Sequence, residues 1–469
     1  MAIARQLSKS MLRPSVGVIN GALALAIVFG LTVVASPKAQ AQTYQVIHTF
    51  TGGGDGAAPQ AGVTLDAAGN LYGTTYSGGA GYGTVYRLKR SGSNWLLNPL
   101  YTFAGGSDGA NPTANIVSGP NGLRYGTTYD GGGSGCSGSG CGTVFSLRPS
   151  ASAPRSVLAP WTETVLYRFS GGADGEHPAG NLVFDAAGNA YGTTYGNPAT
   201  SSYGTVFKIT PGGMFSTLYS FCSQSNCADG AAPYAGLVKG TDENFYGTTE
   251  AGGTSNACED YPAGCGTVFK ITPSGTLTTL YSFCSLANCA DGELPTAGLI
   301  QATDGNFYGT TYTGTPRIPS YGVAFKITPT GTLSVIYSFC SQSNCTDGAA
   351  PFAALFQASD GNFYGTTKFG GVNDACVEGG SEVACGTLFK LTPGGDLTTL
   401  YSFCPQSGCP DGQWPLASLV QDPLTGNFYG TASYGGVGNG TAFSLDVGLG
   451  LVADRVSQRV VKPAVSHNQ

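Results

Sequence analysis

An all-β, seven-bladed propeller is what this sequence predicts, and three observations predict it. A three-part marker recurs seven times, the pieces inside each copy read as short strands, and no copy carries a helical period. Tyr-Gly-Thr stands at Tyr72, Tyr125, Tyr191, Tyr246, Tyr308, Tyr364 and Tyr429, at spacings of 53 to 66 residues. Asp-Gly-x-x-Pro precedes each copy, from Asp55, Asp108, Asp174, Asp229, Asp291, Asp347 and Asp411. A Gly-Thr-x-Phe-like segment follows each, "GVAF" at Gly322 being the loosest. Self-similarity at such a period marks a repeat architecture.

One unit shows how the strands follow. "AGLVKG" (Ala235 to Gly240), "NFYGTT" (Asn244 to Thr249), "GTVFKI" (Gly266 to Ile271) and "TLTTLYSF" (Thr276 to Phe283) are rich in β-branched and aromatic residues, with turn residues at their borders. A short Asp/Gly/Asn turn joins the first two, and Thr272-Pro-Ser-Gly275 joins the last two. Each unit therefore supplies four antiparallel strands, A to D, which is a propeller blade. The rungs of a β-helix would be shorter, and separate sandwiches would need longer units.

The phase of the repeat implies closure. With A innermost, blades begin at residues 59, 112, 178, 233, 295, 351 and 415, and the seventh has no strand D of its own. An orphan "TYQVIHTF" at 43–50 aligns with strand D, so the N-terminal strand is expected to complete the last blade and leave no open edge. The propeller spans 42–446, and 447–469 is a polar tail.

Composition bounds the function. Charged residues are only 10% of the chain against 41% apolar, and 74 Gly with 26 Pro suit many tight turns. Arg5, Lys9 and Arg13 precede an apolar run from Val16 to Val34 and an Ala39-Gln40-Ala41 site, so residues 1–41 read as a secretory signal. An uncleaved anchor is the alternative reading of that run. The segment carries Arg5, Lys9, Arg13 and Lys38 and no acid, so its removal takes the net charge from -6 to -10. Nucleic acid and anionic membrane are poor partners for so acidic a chain, and after cleavage no stable membrane span is expected. A secreted monomer, extracellular, at the cell surface or in a periplasm, is the expectation.

The run "GNFYGTT…GG…CGTVFKITPSGTLTTLYSF" resembles the GloVer tandem-repeat family, secreted bacterial proteins of choice-of-anchor type, from about Thr43 to Leu445. The resemblance implies an exported repeat protein and brings no catalytic residues to carry over. After "SLDVGLG" the sequence departs from the anchored pattern, with neither an apolar span nor an added domain.

Fourteen cysteines fall into seven near neighbours. Cys222/Cys227, Cys284/Cys289, Cys340/Cys345 and Cys404/Cys409 precede the Asp-Gly, while Cys136/Cys141, Cys258/Cys265 and Cys376/Cys385 lie between strands B and C of blades two, four and six. Blades one, three and five have Tyr82, Tyr203 and Tyr321 there. An even, locally paired set in an exported chain reads as disulfides that stiffen loops, and the spacings do not suit a metal.

All these loops, D–A and B–C, emerge on one face, where a rigid scaffold usually binds. The residue four after each Tyr of the marker is Tyr76, Tyr129, Tyr195, Glu250, Tyr312 and Lys368, with Tyr434 one place further on in the seventh copy. Aromatics beside carboxylates suit sugar stacking, and equally suit packing under Gly-rich loops. The repeated Asp could ring the channel and hold Ca2+ or hydroxyls, but Asp-Gly is first a turn dipeptide whose carboxylate caps backbone amides. No cofactor is called for, and Ca2+ is the one metal the Asp repeat brings to mind. For catalysis, Glu176 and His177 are weak candidates, with Glu250, Glu259, Asp260 and Glu293 as further acids. The sequence thus favours a binding module for carbohydrate or a surface protein over a propeller lyase or hydrolase, or a purely structural surface protein.

Overall fold

A computed structural model describes residues 42–150, 161–197, 200–255, 257–258, 264–312, 321–373, 376–378 and 381–450. Residues 1–41, read above as a signal, Glu259, Asp260 and the tail from 451 lie outside the described residues. Seven sheets of four antiparallel strands follow one another in a propeller ring. In blade four the strands are Val238–Lys239, Phe245–Thr249, Thr267–Ile271 and Leu277–Ser282, hydrogen-bonded in that order. Strand A is shorter than its sequence implies, because only Val238 and Lys239 pair with strand B. The spacing also gives no warning of the small hairpin Cys376–Glu378 with Ser381–Val383 in the B–C loop of blade six. Among the described residues no helix is long and apolar enough to cross a membrane.

The repeated letters each hold one contact. A Cβ on Gly247 would lie 2.6 Å from the Phe269 ring tip, so the Gly of Tyr-Gly-Thr exists to seat the Phe of Gly-Thr-x-Phe. The same pairing recurs as Gly309 with Phe325, Gly365 with Phe389 and Gly430 with Phe443. The marker tyrosine is core, as expected: Tyr246 stacks on Phe307 of the next blade at 4.0 Å, and Tyr364 on Phe428 at 4.3 Å. The first Thr crosses to the next inner strand, Thr248 Oγ1 donating to Ala297 O at 2.9 Å and Thr366 to Ala417 O at 3.2 Å. Across the seam between blades seven and one, Thr431 donates to Ala61 O at 2.8 Å, so the ring is continuous. The second Thr pairs within the blade, Thr249 with Thr267 at 2.8 Å.

The N-terminal strand Thr43–Thr49 lies against Thr441–Asp446 from Thr43↔Asp446 to Thr49↔Thr441, completing blade seven as the phase implied. Its Phe50 N–H donates to Gly440 O, as Phe283 N–H does to Gly266 O in blade four.

Most motif aspartates spend their oxygens inside their own loops, whereas Asp411 accepts there through Oδ2 alone, its Oδ1 being buried without a hydrogen bond among the described residues. Asp229, Asp291 and Asp347 are fully buried and each accepts from a strand-D tyrosine and from the Ser backbone and hydroxyl of the C-x4-C loop. Asp55 does the same with Thr51, and His48 at 3.1 Å replaces the tyrosine. These bonds are the ones the capping reading expects.

The disulfides form between the expected neighbours. Cys136–Cys141, Cys258–Cys265 and Cys376–Cys385 close the B–C loops, and Cys222–Cys227, Cys284–Cys289, Cys340–Cys345 and Cys404–Cys409 close the D–A loops. No free cysteine remains among the described residues, and such a set suits an oxidising compartment.

Two details of the D–A pairs add to the sequence reading. No helical turn is predicted anywhere, yet Ser225–Cys227 and Ser343–Cys345 are single 3-10 turns, so Cys227 and Cys345 end a turn instead of lying in plain loop. The short C-x4-C ring folds back tightly, through left-handed backbone at Asn226 (φ 57°) and Cys227 (φ 51°), and at Asn344 (φ 59°) and Cys345 (φ 52°). Nor do Cys227 and Cys345 only staple their own loops. Cys227 O accepts from Gly230 N–H and, at 2.9 Å, from Gly253 N–H of the B–C loop. Cys345 O likewise accepts from Gly348 and, at 2.9 Å, from Gly371. Cys227 is buried beside Tyr203, whereas Cys345 is half-buried. Each of these cysteines therefore ties a D–A loop to the B–C loop of the next blade.

A second set of aspartates closes the A–B turns on the opposite face. Asp242 accepts from Asn244, from the Tyr246 hydroxyl at 3.0 Å and from Lys270 Nζ at 2.7 Å. Burial alone would raise Asp242, Asp304 and Asp360, yet these bonds outweigh it and hold all three below the usual carboxylate range. A lowered folded value stabilises the protein above about pH 4, the ordinary aspartate value, and that stability disappears as pH falls through the folded value. Glu163 is opposite in sign: burial, then Asp108, pushes it up to about 7. Its contribution is present below the ordinary glutamate value of about 4.3 and lost as pH rises through about 7. Melting temperature should therefore fall as pH drops below about 4 through the aspartates and decline between about pH 4.3 and 7 through Glu163, with Asp242→Asn flattening the first change and Glu163→Gln the second. An unchanged profile in both variants would contradict these assignments.

Candidate functional site

The D–A/B–C face is built by one unusual backbone position. The residue before each motif proline, Ala58, Asn111, His177, Ala232, Leu294, Ala350 or Trp414, has φ between 53° and 57°. This left-handed turn lets one residue tie two blades together. Its N–H donates to the B–C loop of the preceding blade, as His177 to Cys141 O at 2.9 Å and Ala232 to Tyr203 O at 2.8 Å. Its carbonyl accepts from the residue after the marker strand of its own blade, as Tyr129 to Asn111 and Tyr195 to His177. The residue before each Gly-Thr-like segment, a Cys or Tyr in six blades and Asn439 in the seventh, thus supplies the carbonyl on which the next blade hangs.

Tyr76, Tyr129, Tyr195, Glu250, Tyr312 and Lys368 all occupy that last donor position. In blade seven it belongs to Ser433, which is fully buried, and Tyr434 sits one place on, bridged to Gln413. Tyr434 is 41% exposed, whereas the other four tyrosines are half-buried, so they are less open than the sequence suggested.

Those rings meet others that the sequence reading missed. Tyr195 packs edge-on to Tyr234 at 5.5 Å, Tyr234 to Phe352 at 5.6 Å, and Phe352 to Tyr312 at 5.7 Å. Tyr234 and Phe352 follow the motif proline in blades four and six, and both line an axial cavity of about 340 Å3. On the far arc Trp414 packs edge-on to Tyr434 at 5.1 Å, with Lys368 Nζ 5.7 Å from the Trp414 ring centre. A chain of aromatics therefore borders the channel mouth. The signal was present: the residue after the proline varies among Gln60, Thr113, Ala179, Tyr234, Thr296, Phe352 and Leu416 inside an otherwise uniform motif.

Glu176 and His177 come together, with a third group. His177 stacks on Tyr129 at 4.4 Å, its Nδ1 lies 3.0 Å from Tyr129 O and 3.5 Å from Asp130 Oδ1, and its Nε2 lies 3.8 Å from Glu176 Oε2. Burial raises the Asp130 carboxyl, and the His177 charge works against that. Glu176 is buried against the Cys136–Cys141 disulfide, 2.7 Å from Cys136 Sγ, a sulfur with no proton to give. Glu293 takes the same place beside Cys258 Sγ at 3.0 Å, and Gln413 beside Cys376 Sγ at 3.1 Å. The third residue of Asp-Gly-x is thus Glu or Gln only where the preceding blade carries a B–C disulfide, and Ala elsewhere. That pattern makes Glu176 and Glu293 packing partners of disulfides.

The phenols of Tyr234 and Tyr129 stay protonated. Burial, followed by Glu250, pushes Tyr234 up to about 12, and burial, followed by Tyr234 and Asp130, raises Tyr129. The mouth is therefore apolar ring faces edged by neutral hydroxyl donors.

No curated protein matches this sequence. Solved structures similar to it include the PQQ-bound form of an aldose sugar dehydrogenase from Streptomyces coelicolor. That match has 11% identity over 88% of this chain and 99% of that chain, with a TM-score of 0.40. A luciferin-regenerating enzyme is similar at 10% identity over 87% of this chain and 96% of that one, with a TM-score of 0.43. Neither bears on the chemistry of the mouth. The family comparison is of another order, with overlapping matches over residues 9–261, 159–378 and 257–453. This chain belongs to the Gloeobacter/Verrucomicrobia repeat family.

Proposed function

We propose that the protein is an exported binding module that takes carbohydrate on the aromatic mouth of its propeller. One observation carries the reading: the connected rings Tyr195, Tyr234, Phe352 and Tyr312 at the channel entrance. A sugar ring has an apolar face and a polar edge, so it gains contact on an aromatic ring without demanding a charge. Neutral phenol hydroxyls and the Asp130 and Glu250 carboxylates then meet its hydroxyls. The signal segment and the seven disulfides support export.

A glycan array probed with the mature protein, with and without Ca2+, tests the reading. Binding should be found, and Tyr129→Ala and Tyr195→Ala should each weaken it by about 1–3 kcal/mol with little loss of melting temperature. Variants that unfold would make these tyrosines core, and a silent array beside capture of a surface protein would replace the carbohydrate.

A second reading has its own observation, the His177 ring held between Asp130 and Glu176 at 3.5 and 3.8 Å. Such a group could move a proton in a lyase or hydrolase. Glu176 is committed to its disulfide, which favours binding. Release of shortened products from an array-positive glycan, abolished by His177→Gln, would decide for the enzyme.

A further inference from the structure

The cavity below the mouth has a chemistry distinct from the rim. Strand A presents alternate residues to the axis, the first and the third after the motif proline. On one arc these include Ser418, Gln60, Asn115 and Asn181, from blades seven, one, two and three. On the other arc, from blades four to six, Tyr234 and Phe352 stand nearer the mouth, with Gly236, Gly298 and Ala354 deeper. The cavity is thus polar on one side and aromatic on the other.

Three features define what fits. None of the described side chains lining it is charged, so a charged guest would shed water with no counter-charge to meet it. Its volume of about 340 Å3 stands at the small end of ligand cavities, which run from about 300 to 1,000 Å3. The Gln60 and Asn115 side-chain amides are half-buried and make no hydrogen bond among the described residues. Seven inner strands surround the cavity, so a polymer reaches it only by a chain end.

We infer that the axial cavity is a subsite for one uncharged terminal pyranose, its apolar face on Tyr234 or Phe352 and its hydroxyls on Gln60, Asn115 and Ser418. The inference rests on the carbohydrate reading of the mouth and adds to it a preference for neutral sugar at a chain end.

The test soaks crystals of the mature protein with glucose, galactose, mannose, N-acetylglucosamine and glucuronate in turn, and measures the same sugars in solution by titration. At least one neutral sugar should occupy the cavity, and glucuronate should not. Asn115→Ala should weaken that sugar about fivefold, the effect of one neutral hydrogen bond. Gly298→Val should weaken it tenfold or more by filling the space, because a Cβ there meets its nearest neighbour at 3.7 Å and the fold can accept it. Glucuronate in the cavity, or unchanged affinity in a folded Asn115→Ala and Gly298→Val, would overturn the subsite. A sugar held only on the rim tyrosines would also overturn it while leaving the carbohydrate reading intact. No sugar at either place would overturn both.

Discussion

Deleting Thr43 to Phe50 should lower the melting temperature sharply and turn the protein towards aggregation. The strand does more than pair with Thr441–Asp446. Tyr44 stacks on Tyr401 of blade six at 4.0 Å and donates to Asp411 O at 2.6 Å, so it also binds the last two blades together. Phe50 is fully buried and packs edge-on to Tyr86 of blade one at 5.1 Å. Losing one buried Phe alone costs about 3–5 kcal/mol. The deletion adds an open sheet edge, a template for pairing with another chain. Calorimetry with light scattering measures both effects. A deletion that melts like the full chain and stays monodisperse would mean that blade seven needs no latch.

Phe269→Ala should destabilise by about 3–5 kcal/mol, and Gly247→Ala by about 1–3 kcal/mol, for opposite reasons. The first empties the space over Gly247, and the second forces a methyl group to within 2.6 Å of the ring that fills it. Chemical denaturation measures both. Combining them should cost less than the sum, because the added methyl enters the vacated space. Strict additivity would show that the ring and the glycine do not share one contact.

These two residues also show why the architecture was legible in the sequence. Gly247 and Phe269 stand opposite each other on adjacent strands of one sheet, and the contact repeats in register, so each unit carries it in the same two short motifs although the loop between them varies in length. The Tyr246 core position, the disulfide partners and the latch were readable for the same reason: each is a local or repeated constraint. The 3-10 turns that end at Cys227 and Cys345 were not, because a single left-handed turn leaves no period to read. The mouth was only half legible. Tyr76, Tyr129, Tyr195 and Tyr312 stand at one repeated position, but Tyr234 and Phe352 come from a place where other blades have Gln, Thr, Ala or Leu. What joins them is convergence at the axis, which no spacing along the chain reveals. Ser433 shows a further limit, since Tyr434 follows the repeat by eye while the backbone gives its place to the serine. The covariation of Glu176, Glu293 and Gln413 with the B–C disulfides of neighbouring blades was present in the letters, but it has meaning only once the blades are placed side by side.

The claim that the aromatic mouth is the binding face is tested most directly by hydrogen–deuterium exchange with and without a glycan identified on the array. Protection should appear in the D–A loops and around the motif prolines, at 223–234 and 341–352, and just after the marker strands at Glu250 and Tyr312. It should be absent from the C–D turns at 272–276 and 328–332 on the opposite face. Protection confined to those turns, with the D–A loops unchanged, would contradict the account.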